Sequence, residues 1–228
     1  MSDPEATKLS QTWATWVKAY SDLRQLPLEP FEHGWWIDVG KPQQSGRYIL
    51  RNSDISLLQQ LAERVTDTAV HFELPVARSV AEQVLSAGWS LAAPEYLMTV
   101  IITGAYTTML PGGYQLLLDL EGTEIRASCV DEDGHPLSRG VCKLSDHDAV
   151  FDQVVTERAA RRQGLASAVM GVLAASACKG GARRGVLLAT AEGRPFYEAL
   201  GWTVLSEVSK VISPMESRAA RHLRIIRQ

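Results

Sequence analysis

Cysteine is scarce in this sequence: Cys129, Cys142 and Cys178 are its only three. They are odd in number, widely spaced and form no C-x-x-C pair. That argues against a zinc ribbon or a disulfide framework and fits a reducing, cytoplasmic setting. No sign of charge dominates. The net charge is −3, so nothing marks the surface as a whole for nucleic acid or a membrane. Long apolar runs are missing too. The longest weakly polar stretch, Leu165 to Cys178, is too short to span a bilayer and reads as a buried helix. The start, Met1-Ser2-Asp3-Pro4-Glu5, is acidic and leads into no apolar core, so no signal peptide is expected. Asp146-His147-Asp148 is crowded into a turn, and His33, His71 and His135 are isolated, so no metal is expected.

What is present describes a soluble globular chain: 46% hydrophobic and 21% charged residues over 228 positions, room for one large or two small domains. Trp13, Trp16, Val17 and Tyr20 recur at helical spacing and predict a helix over about Pro4–Leu23, ended by Pro27 and Pro30. Strands are expected near Trp35–Val39 and Arg47–Leu50. A helix from Ser53 or Asp54 to about Val65, a strand over Phe72–Val76 and a helix over Ser79–Ala87 follow. Strands then dominate, at Tyr96–Thr103, Tyr114–Leu120, Glu124–Val130 and Arg139–Leu144, with Asp133-Gly134 the strongest hairpin signal. The last part reads as a strand at Ala149–Thr156, a helix from about Arg161 to Cys178 and a strand at Gly185–Thr190. A helix opened by Pro195 and closed by Gly201, and a strand at Thr203–Leu205, complete it.

A meander followed by strand–helix–strand–helix predicts a mixed α/β protein with a mostly antiparallel central sheet. The expected division is an α/β region over 1–94, a second domain over 95–213 and a basic tail over 214–228. In the tail Arg218, Arg221, Arg224 and Arg227 recur every three residues. Signals of similar kind in the two regions leave open a degenerate second copy of one fold.

The most informative stretch is Arg161-Arg162-Gln163-Gly164-Leu165-Ala166, between an apolar strand and a helix of small residues. A helix start leaves unpaired N–H groups and the positive end of the macrodipole. Gly164 removes the side chain that would block close approach, so a phosphate or pyrophosphate can rest on main chain. Taken alone the pattern also suits an ordinary helix start with solvated arginines.

Strand, R-x-x-G-x-A, helix, strand and a closing Tyr197-x-x-x-Gly201-Trp202 together resemble the GNAT superfamily of acyl-CoA-dependent N-acyltransferases. The specific match covers about Ala149–Val204, and a looser one reaches back to about Glu95. The resemblance implies a GNAT fold and transfer of an acyl group, with acetyl-CoA as co-substrate, to an amine. It places the cofactor's pyrophosphate on the N–H groups of Arg162, Gln163, Gly164, Leu165 and Ala166, with Arg161 at the basic position. The pantetheine arm would follow Val154, Val155 and Thr156. Many relatives place an Asn at the start of the last helix to touch the cofactor; this chain has Thr190, Glu192 and Arg194 in that neighbourhood, and Arg194 is a further candidate.

Two proton transfers are required. An alkyl amine of pKa ~10.4 must lose a proton, which costs about 4.6 kcal/mol at pH 7. The leaving thiolate must gain one. Tyr197 matches the tyrosine that supplies it in relatives. Some relatives carry a Glu base on the preceding strand, where this chain has Val150. Strand alternation puts Asp148, Val150, Asp152, Val154 and Thr156 on one face, so Asp152 is the candidate base and Asp148 the reserve. A water-relayed route also stands. Trp35, Trp36 and Trp89 are candidates to wall the amine site or to form core. The expected partner is a small-molecule or peptide amine, not a membrane or nucleic acid. The alternative from another class is a non-catalytic acyl-CoA sensor or scaffold.

Overall fold

The computed structural model describes residues 4–41, 44–65, 69–85, 88–104 and 110–214. They fall into two compact units that interleave along the chain. The first takes residues 4–10, 26–96 and 206–214, the second 11–25 and 97–205. Helix α1 (Pro4–Arg24) contributes to both. In its second-unit part Trp13, Trp16 and Tyr20 stack in a row, with ring centroids 5.0 and 4.8 Å apart, as i, i+3 and i+4 spacing on one helix face allows.

In the first unit, β1 (Leu28–Phe31), β2 (Gly34–Lys41) and β3 (Gln44–Leu50) form an antiparallel meander. Strand β1 is not legible from the pattern, because Pro30 lies inside it. It is an edge strand, where a missing N–H costs no ladder bond on the open side. Helix α2 (Ile55–Arg64) crosses over to β4 (Val70–Leu74), which runs parallel to β3. The helix expected over Ser79–Ala87 shortens to α3 (Arg78–Ala81) and a 3-10 turn at Glu82–Val84, before the two-residue β5 (Ser90–Leu91).

The second unit is built from β6 (Glu95–Ile101, from Leu97 on), β7 (Gln115–Glu121), β8 (Glu124–Val130), β9 (Pro136–Ser145), β10 (Asp148–Thr156), α4 (Leu165–Lys179), β11 (Arg184–Thr190), α5 (Arg194–Ala199) and the start of β12 (Thr203–Ile212), which belongs to the first unit from Ser206 on. Its sheet order is β6-β11-β10-β9-β8-β7; β10 and β11 run parallel, while the β7–β8, β8–β9 and β9–β10 ladders are antiparallel. Strand β12 is longer than expected because its end, Ser209–Ile212, pairs antiparallel with β4 in the first unit's sheet. Meander, helix, parallel strand and short helix thus occur twice, once in each unit. The Arg residues of the tail lie outside the described residues. Among the described residues no helix is long and apolar enough to cross a membrane.

The first unit's sheet has two unlike faces. One carries Leu50, Phe72, Leu74 and Val211 against Leu58 and Ala62 of α2. The tryptophans belong to this unit's packing: Trp35 is buried under the Arg51 guanidinium, Trp36 lies on Tyr48 and Trp89 on Phe72. The alternate residues form a buried ionic row. Glu73 is fully buried and meets Arg47 Nη1 at 3.0 Å and Lys210 Nζ at 3.4 Å. Lys210 also meets Glu95 Oε2 at 3.4 Å. Burial opposes the Lys210 charge, but Glu73 and then Glu95 outweigh it and hold its pKa above the ordinary value. Burial depresses the neighbouring His71 instead.

Removing one partner from a buried ion pair strands the other. Lys210→Met is therefore expected to cost about 3–5 kcal/mol in urea unfolding. A loss well under 1 kcal/mol would mean that Lys210 does not compensate Glu73.

Candidate active site

Strand β10 pairs with β9 along its length, but with β11 only from Asp148 to Phe151, the last rung being Phe151↔Leu187. Beyond it β10 runs on to Thr156 and β11 to Thr190 without a shared ladder. The cause is local. Gln153 has φ +55°, and the β9 register shifts between Asp152 and Val155 as a bulge. Such a bulge bends the strand and leaves main-chain groups without a ladder partner. It also interrupts the single-face alternation expected for residues 148–156. Asp152 reaches α1, whereas Val154 lies against α4: a side chain at Gly140 would stand 3.2 Å from Val154, Val169 and Leu173.

The loop after β10 makes a 3-10 turn at Arg158–Ala160, then Arg161 is extended and Arg162 left-handed at φ +64°. Gly164, at φ +81°, is the N-cap of α4. The helix expected from Arg161 therefore starts at Leu165, because left-handed residues cannot continue a right-handed helix. The Ala168 N–H makes the first bond of the new helix, to the Gly164 carbonyl. Among the described residues, the N–H groups of Leu165, Ala166 and Ser167 have no main-chain acceptor. They form the positive end of a 15-residue helix. A side chain built at Gly164 would meet nothing within 4 Å. Its glycine answers to φ and to open space, not to crowding.

That space is a cleft of about 830 Å³. Its walls bring together Val154, Val155 and Thr156, the loop residues Arg161, Arg162, Gly164, Leu165 and Ala166, and Tyr197. Arg161 spans the mouth, donating to the Thr156 carbonyl at 3.4 Å and standing 3.8 Å from Glu192. Three candidates, Gln163, Arg194 and the candidate base Asp152, do not line the cleft. Gln163 accepts from the Tyr114 hydroxyl at 2.6 Å, and Arg194 pairs with Glu198 at 2.6 Å on the same helix.

Tyr197 sits on α5, opened by Pro195 and followed by Gly201 at φ +84°. Its ring packs edge-on against Trp202 at 6.1 Å, and Trp202 against Phe151 at 5.3 Å. The phenol is thus tied to the last rung of the β10–β11 ladder. Burial, and then the Asp152 charge, push its pKa up to about 12. Both Asp152 oxygens accept from Arg24, at 2.8 and 3.0 Å. Arg24 is the functional candidate that sequence reasoning misses. It is a last-turn helix cation 128 positions from its partner, and no motif links the two. Asp148, the reserve, is likewise held by Arg184 at 2.8 and 2.6 Å. Val150, where some relatives have Glu, is fully buried. One group of potential metal ligands exists among the described residues, Asp131, Asp133 and His135, on an exposed turn away from the cleft. Asp131 there already accepts the N–H groups of Asp133 and His135.

No protein-family profile matches the sequence, and no curated protein does. Solved structures do. A GCN5-related N-acetyltransferase from Kribbella flavida is similar at 15% identity and a TM-score of 0.64, over 94% of this chain and 97% of its own. One from Sphaerobacter thermophilus aligns at 12% identity and a TM-score of 0.61, over 80% of this chain and 78% of its own. A tandem GNAT protein from the clavulanic acid biosynthesis pathway aligns at 11% identity and a TM-score of 0.54, over 84% of this chain and 79% of its own. The chain has the fold of the GNAT superfamily, the GCN5-related N-acetyltransferases.

Proposed function

We propose that this protein is an N-acetyltransferase that moves the acetyl group of acetyl-CoA to a primary amine by direct attack on the thioester. One observation carries the reading. A single cleft joins an unladdered strand edge, an open helix N-terminus and a buried phenol. The first suits an amide-rich extended arm, the second a diphosphate, and the third a leaving group that needs a proton.

The diphosphate would rest on the N–H groups of Gly164, Leu165 and Ala166, with Arg162 beside them and Arg161 at the mouth. The pantetheine amides would take the ladder positions that β11 vacates beside Val154 and Thr156. A main-chain N–H at the bulge would stabilise the oxyanion that forms when the amine nitrogen bonds to the thioester carbon. As the C–S bond breaks, Tyr197 gives its proton to the sulfur. A phenol held near 12 stays protonated at neutral pH and is strengthened as a donor only by the thiolate it meets.

Asp152, with both oxygens engaged by Arg24, serves as a fixed negative charge. It opposes loss of the Tyr197 proton. The amine loses two protons through water, one to solvent before attack and one, after the C–N bond forms, that restores the Tyr197 phenol. The acceptor is a small-molecule or peptide amine, and the setting a reducing cytoplasm, as the scarce and unpaired cysteines suggest.

Tyr197→Phe is expected to lower kcat about 100-fold with acetyl-CoA affinity unchanged, since a general acid typically contributes that much. Thiol release at the wild-type rate would remove Tyr197 from the chemistry. Gly164→Val should weaken acetyl-CoA about 100-fold by calorimetry, through the loss of charge-assisted bonds worth about 1.5–3 kcal/mol each. Binding without release of thiol across an amine panel would favour the sensor. The pH–rate profile should rise as the amine loses its proton and show no alkaline fall until near 12, where Tyr197 ionises. A fall centred near pH 9 would contradict its role as the acid.

A further inference from the structure

Three of the six exposed large hydrophobic side chains among the described residues sit on one strand. Leu117, Leu118 and Leu120 of β7 are 52%, 41% and 62% exposed. Strand β7 ends the second unit's sheet, so one of its long sides has no strand partner among the described residues. It pairs with β8 over all seven residues without a register shift. Edge strands are usually blunted by proline, lysine, a bulge or shortness. The first unit's edge strand shows two of these devices: β1 has four residues and contains Pro30. Strand β7 contains no Pro and no Lys, is seven residues long and is unbulged.

Its two faces differ in chemistry. Leu116, Leu118 and Leu120 lie opposite Cys129, Ala127 and Ile125 of β8, all of which are buried. This is the face that α4 covers, because a side chain at Gly140, the register partner of Ala127, would press on Val169 and Leu173. The apolar layer therefore runs outward to the leucines of β7 and stops there, uncovered. The other face carries Gln115, Leu117, Asp119 and Glu121.

We propose that β7 is where two copies of this chain associate, edge to edge and antiparallel, about a two-fold axis at Leu118. The strand is self-complementary in that register. Leu118 meets its own copy, Leu116 meets Leu120, Leu117 meets Asp119 and Gln115 meets Glu121. The leucines of the α4 face become one continuous apolar row across the axis. No carboxylate faces another, and Glu121 finds an amide. A slip that centres the axis on Leu120 would set Asp119 against Glu121 and bury fewer leucines, so charge and apolar contact favour the same register. An isologous contact of this kind closes at two copies and leaves no β7 edge exposed. The occupant that best matches the pattern is therefore a second copy of β7.

Sedimentation or light scattering on the full chain, over a concentration series, tests this. The wild type should approach twice its 25.0 kDa mass as concentration rises. Leu118→Lys should stay monomeric and melt with the wild type at concentrations where the wild type is itself monomeric, since that side chain is partly exposed and its removal opens no cavity. To fix the register, Leu118→Cys in a Cys178→Ser background should be joined to a covalent dimer by a short bis-maleimide, while the Cys178→Ser parent should not. A wild type that stays monomeric at every concentration would overturn the proposal. So would a dimer that survives Leu118→Lys, or a Leu118→Cys chain that the reagent does not join.

Discussion

The site depends on where one parallel ladder stops. Four rungs join β10 to β11, and the fifth does not form, because Gln153 takes a left-handed conformation and β10 bulges. A continuous ladder would have consumed the main-chain groups that an extended ligand needs. The parting is braced from below. Phe151, on the last rung, packs against Trp202, and a side chain at Gly185 would collide with both. Tyr197 stands on the same aromatic wedge. The geometry that opens the strand edge therefore also sets the position of the phenol. Conformational strain at functional positions is tolerated where surrounding packing over-determines it, and here that packing is aromatic.

The two units share an order of elements but differ electrostatically where it matters. In the second, the helix after the crossover strand begins at Gly164 and leaves its first N–H groups open. In the first, the corresponding helix begins at Asp54, whose carboxylate accepts the Leu57 N–H at 3.0 Å. The chain's own anion sits where a diphosphate would have to go. The first unit invests its polar residues elsewhere, in the buried row of Arg47, Glu73, Lys210 and Glu95. On the proposed function, one supersecondary arrangement would serve as a ligand cradle in one unit and as scaffold in the other.

Much of this was legible in the sequence, for local reasons. The Arg161–Ala166 stretch, Pro195, Gly201 and the Asp133-Gly134 turn act within a few residues, so their patterns survive in one dimension. What was not legible is non-local or conformational. The Gln153 bulge has no composition signal, and it breaks the alternation that puts Asp148, Val150, Asp152, Val154 and Thr156 on one face. The Arg24–Asp152 pair joins positions 128 apart. Strand β1 hides behind Pro30, which only its edge position excuses. The start of α4 slipped from Arg161 to Leu165 because Arg162 and Gly164 turn left-handed, and Arg signals nothing of the kind.

The central claim is that the cleft between the parted strands and the Gly164 loop receives a thioester of coenzyme A. A crystal structure of the chain grown with acetyl-CoA tests it most directly. The account requires the diphosphate within hydrogen-bond distance of the Gly164–Ala166 amides and the pantetheine arm along β10 beyond Phe151, its sulfur near the Tyr197 hydroxyl. A cofactor bound elsewhere, or a β10–β11 ladder zipped closed past Phe151 with those amides turned inward, would contradict it.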